Sequence, residues 1–130
     1  MNFIILGLQH VALHVADVAA SVNFYQNKLG LLPLPRPAFD FDGAWFALGP
    51  GRELHLLEGR REKVHSHSRG NHFAVEVADI QAVAQHLEQQ GVAHRPVKQR
   101  PDGAWQLFLE DPDGHVLEFC QLTPPVSEKK

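Results

Sequence analysis

Residues Leu8 to Val15 alternate: Val11, Leu13 and Val15 form an apolar row, while Leu8, His10, Ala12 and His14 face the other way. That is the period of a strand with one buried face. Asp17 follows as a helix N-cap. Val18, Val22, Tyr25 and Leu29 then recur at helical spacing until Gly30 ends the run. The pattern is written a second time, because His72 to Asp79 (HFAVEVAD) parallels His10 to Asp17 (HVALHVAD), displaced by 62 positions. Ile80, Val83, Ala84 and Leu87 supply the second helix with its apolar stripe, and Gly91 closes it.

Two further segments repeat. Asp42-Gly-Ala-Trp45 recurs as Asp102-Gly-Ala-Trp105, displaced by 60, and each copy leads through a turn, Gly49-Pro-Gly51 or Asp111-Pro-Asp-Gly114, into another alternating strand. Those strands are Glu53 to Leu57 and His115 to Phe119, in which His55 and Glu118 correspond with a displacement of 63. Each module therefore reads strand, helix and about three strands, a duplicated βαβββ unit. The modules span residues 1–60 and 71–123, joined by a polar, solvated connector over 61–70 and followed by a flexible tail over 124–130. The fold class is α+β: a curved, mostly antiparallel eight-stranded sheet forming a cup, with the helices on its outer face.

Composition agrees and narrows the partners. The 130 residues are 44% hydrophobic and 21% charged, with a formal net charge of −3, which describes a globular chain without the basic surface that nucleic acid requires. No apolar run reaches the length of a membrane span, and Phe3 to Leu6 is too short for a signal core. Cys120 is the only cysteine, which excludes an internal disulfide or a cysteine-built zinc site and favours a reducing compartment, the cytoplasm by default. Nine histidines stand against one methionine and one tyrosine.

In each module the first and the last strand present one ligand-type residue away from the apolar face. A curved sheet of two modules brings these four, His10, His55, His72 and Glu118, together near its pseudo-twofold axis. Three imidazoles and a carboxylate suit one borderline divalent ion, Zn, Ni, Fe, Co or Mn, better than calcium. A lone strand histidine is ordinarily a packing or surface residue; repetition at equivalent positions is what points to ligation. His14 and Glu76 are repeat partners on the same face and line the cavity mouth, as does Cys120, by alternation with Glu118. His65, His67, His86, His94 and His115 receive no role. Lys98 and Arg100 are read as surface charges, although an anionic substrate could meet them.

The chain resembles the vicinal oxygen chelate superfamily, which includes glyoxalase I, the fosfomycin-modifying thiol transferases, bleomycin-resistance proteins and extradiol dioxygenases. The resemblance runs from Leu8 to Leu122 and rests on Leu8 to Val15, Asn23-Phe-Tyr25, Leu29-Gly30, Asn71 to Val75, and Asp111 to Glu118. It implies metal ligands at His10, His72 and Glu118, with a variable fourth position at His55. Glyoxalase I usually carries Glu at that fourth position, so here Glu118 is the only carboxylate of the set and the candidate catalytic proton carrier. The resemblance implies a metal-dependent glyoxalase-like lyase, isomerase or epimerase acting on a small substrate with vicinal oxygens. The alternatives are an extradiol-type iron dioxygenase, a fosfomycin-type thiol transferase and a metal-free drug-binding module. It also implies a homodimer, in which the ligands come either from one chain or from modules exchanged between two.

Overall fold

A computed structural model describes residues 2–122, and in it both modules have the expected order of elements. The first comprises β1 (His10–His14), α1 (Val18–Val22), β2 (Pro33–Leu34), β3 (Gly43–Ala47) and β4 (Glu53–Leu57). The second comprises β5 (Phe73–Glu76), α2 (Ile80–Gln89), β6 (Lys98–Gln99), β7 (Trp105–Glu110) and β8 (Val116–Gln121). The residues assigned to the tail, 124–130, lie outside the described ones.

The caps follow the sequence. Asp17 accepts from the Ala20 amide, and Asp79 from the amides of Gln81 and Ala82, satisfying donors that a first helical turn leaves open. Gly30 and Gly91 both take positive φ at the ends of the helical segments, where a side chain would be strained. One difference is local. After a single α-turn the first helix widens into a π-type segment over Asn23–Lys28, so the Leu29 amide reaches back five residues to the Phe24 carbonyl. The apolar spacing of Val18, Val22, Tyr25 and Leu29 fits either winding, which is why it reads as one continuous helix.

Each module folds into a four-stranded sheet, ordered β1-β4-β3-β2 and β5-β8-β7-β6. The first strand runs parallel to the last, and the other pairings are antiparallel. Among the described residues these are two separate mixed sheets, and no pairing joins β1 to β5 into one eight-stranded sheet. The reason lies in how the modules pack. Leu13, Val15, Phe46, Leu54 and Leu56 of the first share one core with Ile80, Leu87, Leu107, Leu109 and Leu117 of the second. The Tyr25 hydroxyl donates to Asp111 Oδ2 at 2.7 Å, Arg60 Nε to Asp113 Oδ1 at 2.7 Å, and the Ala16 amide to the same Asp113 oxygen at 2.8 Å. His86 Nε2 donates to the Lys28 carbonyl and His115 Nε2 to the His14 carbonyl. The turn Asp111 to Gly114, read from sequence only as a reversal, therefore also ties one module to the other.

The register corrects one repeat. Trp45 lies opposite His55, and it is Phe108 that lies opposite Glu118, a displacement of 63. Matching Asp42-Gly-Ala-Trp45 to Asp102-Gly-Ala-Trp105 is thus three residues out of structural register. An odd shift along a strand exchanges faces. Trp105 accordingly packs against the shared core, whereas Trp45 stands on the opposite face beside His55.

Candidate metal centre

The alternation along β1 places His10, Ala12 and His14 on the face away from the core, with Leu13 buried beneath. On β4, Leu54 and Leu56 are buried and Glu53 and His55 face the other way. In the parallel ladders Ala12 pairs with His55 and Ala74 pairs with Glu118, so each candidate on a last strand sits opposite the residue two places after the candidate on the first strand. The repeat inferred from sequence is thus exact in three dimensions at these positions.

The four candidates form two pairs. In the first module the His10 and His55 rings stack with centroids 4.3 Å apart, and Trp45 covers the other side of His55 at 3.9 Å. Here the His55 Nε2–H donates to Glu53 Oε1 at 2.8 Å, and this bond is the main cause holding the Glu53 carboxyl below its usual range. His10 Nδ1–H donates to the Gln9 side-chain carbonyl at 2.7 Å, leaving Nε2 with its lone pair. The second module puts His72 Nε2 3.0 Å from Glu118 Oε1, and Gln106 donates to Glu118 Oε2 at 3.2 Å. Phe108 meets His72 edge-on, with centroids 5.5 Å apart.

The His72–Glu118 pair has the chemistry of half a metal site. His72 Nδ1 faces the carbonyls of Gly70 and His67 at 3.1 and 3.2 Å, and a carbonyl only accepts, so Nδ1 carries the ring proton. That leaves the Nε2 lone pair directed at a carboxylate oxygen. Two such acceptors approach each other only with a proton or a cation between them. Their 3.0 Å separation also equals the spacing of two adjacent ligands each about 2.1 Å from one ion.

Among the described residues, however, no group of three His, Cys, Asp or Glu side chains converges on a common point. Within one chain the four candidates thus stand as two separate pairs of two donors each, His10 with His55 and His72 with Glu118. The modules pack through their core faces, and the free edges of β1 and β5 are not hydrogen-bonded to each other.

The remaining candidates separate as well. His14 Nε2 donates to the Glu58 carbonyl at 2.8 Å and joins neither pair. Glu76 is exposed and lines a groove of about 450 Å³ between the outer edges of β1 and β5, with Leu8, His10, Val11, Phe73 and Val75. Cys120 is buried; burial, followed by repulsion from Glu118, raises its thiol pKa, the reverse of what a nucleophile needs. Arg100 is engaged by Asp102, whose carboxyl it holds at about 2. Sequence reasoning missed Glu53 and Gln106. Glu53 shares the face of His55 by simple alternation and could have been found; Gln106 was hidden by the three-residue misregister of β7.

Comparison with known proteins identifies the family and the fold. The sequence profile described as Glyoxalase/Bleomycin resistance protein/Dioxygenase superfamily matches residues 7–119. Glyoxylase I 4 of Arabidopsis thaliana is 34% identical over 122 residues, covering 88% of this chain and 70% of its own. A lactoylglutathione lyase of Neisseria meningitidis is 32% identical over 125 residues, covering 89% and 91%. A crystal structure of a glyoxalase-family protein from Bacillus anthracis superposes with a TM-score of 0.78 at 26% identity, covering 93% of this chain and 98% of that one. With a profile that spans nearly the whole described chain and a fold that agrees, the chain belongs to the Glyoxalase/Bleomycin resistance protein/Dioxygenase superfamily.

Proposed function

We propose that the chain is a metal-dependent lyase, isomerase or epimerase of the glyoxalase type, acting on a small substrate with vicinal oxygens. Its ion is held by His10 and His55 of one chain with His72 and Glu118 of a second. The observation that carries this reading is the pair of equivalent ladder positions, Ala12–His55 and Ala74–Glu118, each bearing a donor pair that is incomplete alone. In a homodimer the β1 and β5 edges of two chains meet and close the eight-stranded cup. The exposed apolar residues Phe3, Ile4, Ile5 and Leu6, together with exposed Leu8, which lines the groove, favour such a contact. The two curated relatives described above, named for glyoxalase I and lactoylglutathione lyase, support the reaction class.

The ion, when bound, acts as a Lewis acid that stabilises negative charge developing on neighbouring oxygens. Proton movement is the work of the chain. Glu118, buried and steadied by Gln106, takes a proton from one carbon and, once that proton has exchanged with solvent, delivers one to the next. His72 is oriented by the Gly70 and His67 carbonyls. Trp45 and Phe108 limit how far the imidazoles can turn.

Reaction in deuterium oxide tests the proposal. With Zn, Ni, Co or Mn restored, a panel of hemithioacetals and acyl thioesters is expected to yield a product carrying solvent deuterium next to a carbonyl, and Glu118→Gln is expected to abolish it. Absence of deuterium across the panel with each metal would refute the lyase or isomerase reading.

A further inference from the structure

Beside the second-module pair lies a recess of about 320 Å³ lined by Ser68, Arg69, Arg95, Pro96, Lys98, Gln106 and Phe108. Three of its lining side chains are cationic and none is a carboxylate. Among the described residues Arg69, Arg95 and Lys98 enter no ion pair, whereas Arg60 and Arg100 are each matched by an aspartate. Three uncompensated cations around one concavity repel one another, an arrangement relieved by a bound anion. Arg95 is placed rather than loose: its guanidinium donates to Ser68 Oγ at 2.7 Å and its amide to the Phe108 carbonyl at 2.9 Å.

The recess and the candidate metal ligands share two walls. Gln106 lines the recess and donates to Glu118 Oε2; Phe108 lines it and contacts the His72 ring. The connector brings in Ser68 and Arg69 as the two residues after His67, whose carbonyl orients His72. A substrate reaching Glu118 therefore has an electropositive recess within reach of its far end.

We infer that this recess is an anion subsite, binding a carboxylate or a phosphoryl or phosphonyl group on the substrate through Arg69, Arg95 and Lys98. The class of substrate is then a small vicinally oxygenated molecule bearing a terminal oxyanion. This inference rests on the reading of His72 and Glu118 as metal ligands for its link to the reaction; the binding of the anion itself does not depend on it. Arginine recognises planar or tetrahedral oxyanions with paired donors, and lysine adds a point charge.

The test titrates the purified full chain with inorganic phosphate and, separately, acetate, by calorimetry, with metal content measured on the same samples. Arg69→Gln/Arg95→Gln is expected to weaken phosphate binding by about tenfold or more, and Lys98→Gln by about threefold, with metal content unchanged. His72→Ala is expected to remove metal and leave phosphate binding within about twofold. Acetate binding as tight as phosphate assigns the subsite to carboxylates; phosphate binding tighter by about tenfold assigns it to phosphoryl or phosphonyl groups. The inference is overturned if neither anion binds at about 10 mM, or if the arginine and lysine variants bind phosphate as the parent does. It is also overturned if His72→Ala alone abolishes binding, which would put the anion on the metal. Metal retained in both His10→Ala and His72→Ala would sink the metal-site reading while leaving the phosphate result standing.

Discussion

Replacing Tyr25 with phenylalanine probes the junction between the two modules. Tyr25 is fully buried, and its hydroxyl is the donor to Asp111 Oδ2, while Asp111 Oδ1 already takes the amides of Asp113 and His115. The substitution removes one oxygen and leaves Oδ2 of a buried carboxylate without that donor, a loss of about 1.5 to 3 kcal/mol for a hydrogen bond to a charged group. In a urea melt this lowers the midpoint by about 1 M. The penalty should depend on pH in a definite sense. Burial raises the Asp111 pKa, and the Tyr25 bond is the largest effect opposing that rise. A carboxyl with a raised folded-state pKa contributes most to stability below its unfolded pKa, and that contribution is lost as pH climbs through the folded value. Removing Tyr25's donor raises the folded value further. Tyr25→Phe should therefore cost more near neutrality than at about pH 4. A penalty under about 0.5 kcal/mol, or one equal at both pH values, would refute the junction as described.

The two repeat tryptophans should part company: Trp105→Ala, which opens the shared core, is expected to destabilise by about 3 kcal/mol in urea melts, whereas Trp45→Ala should cost less and instead weaken metal binding measured by competition with a chelator. Gln106→Leu removes the donor to Glu118 Oε2 and should weaken metal binding by about tenfold while leaving the melting temperature within a few degrees. Leu107→Ala, at a fully buried β7 position, should cost about 2 to 5 kcal/mol, and a cost below 1 would contradict the assigned faces of that strand.

Much of this was legible in the sequence because the signals are local and duplicated. Alternation from Leu8 to Val15 fixed which side of β1 carries His10. Asp17 and Asp79 marked the helix starts, and the displacement of 63 between His55 and Glu118 survived into the ladder register. What was not legible depends on long-range packing. Asp42-Gly-Ala-Trp45 and Asp102-Gly-Ala-Trp105 match as letters, but the loops before β3 and β7 differ by three residues in where they deliver the strand. The π-type winding at Asn23–Lys28 leaves the apolar spacing intact and so has no sequence signature here. The connector reads as solvated, yet Ser66 accepts from the Val116 amide and His67 orients His72. Above all, spacing alone could not say whether β1 meets β5 of its own chain, since both modes of pairing bury the same apolar face.

Mixing two inactive halves tests the central claim most directly. One chain carries His10→Ala and His55→Ala, the other His72→Ala and Glu118→Ala; each is expected to bind no divalent ion alone. After unfolding and refolding together, the hetero-pair is expected to recover one ion per two chains, because the intact His10–His55 pair of one meets the intact His72–Glu118 pair of the other. No recovered ion in a mixture shown to contain hetero-pairs would contradict a site shared between chains.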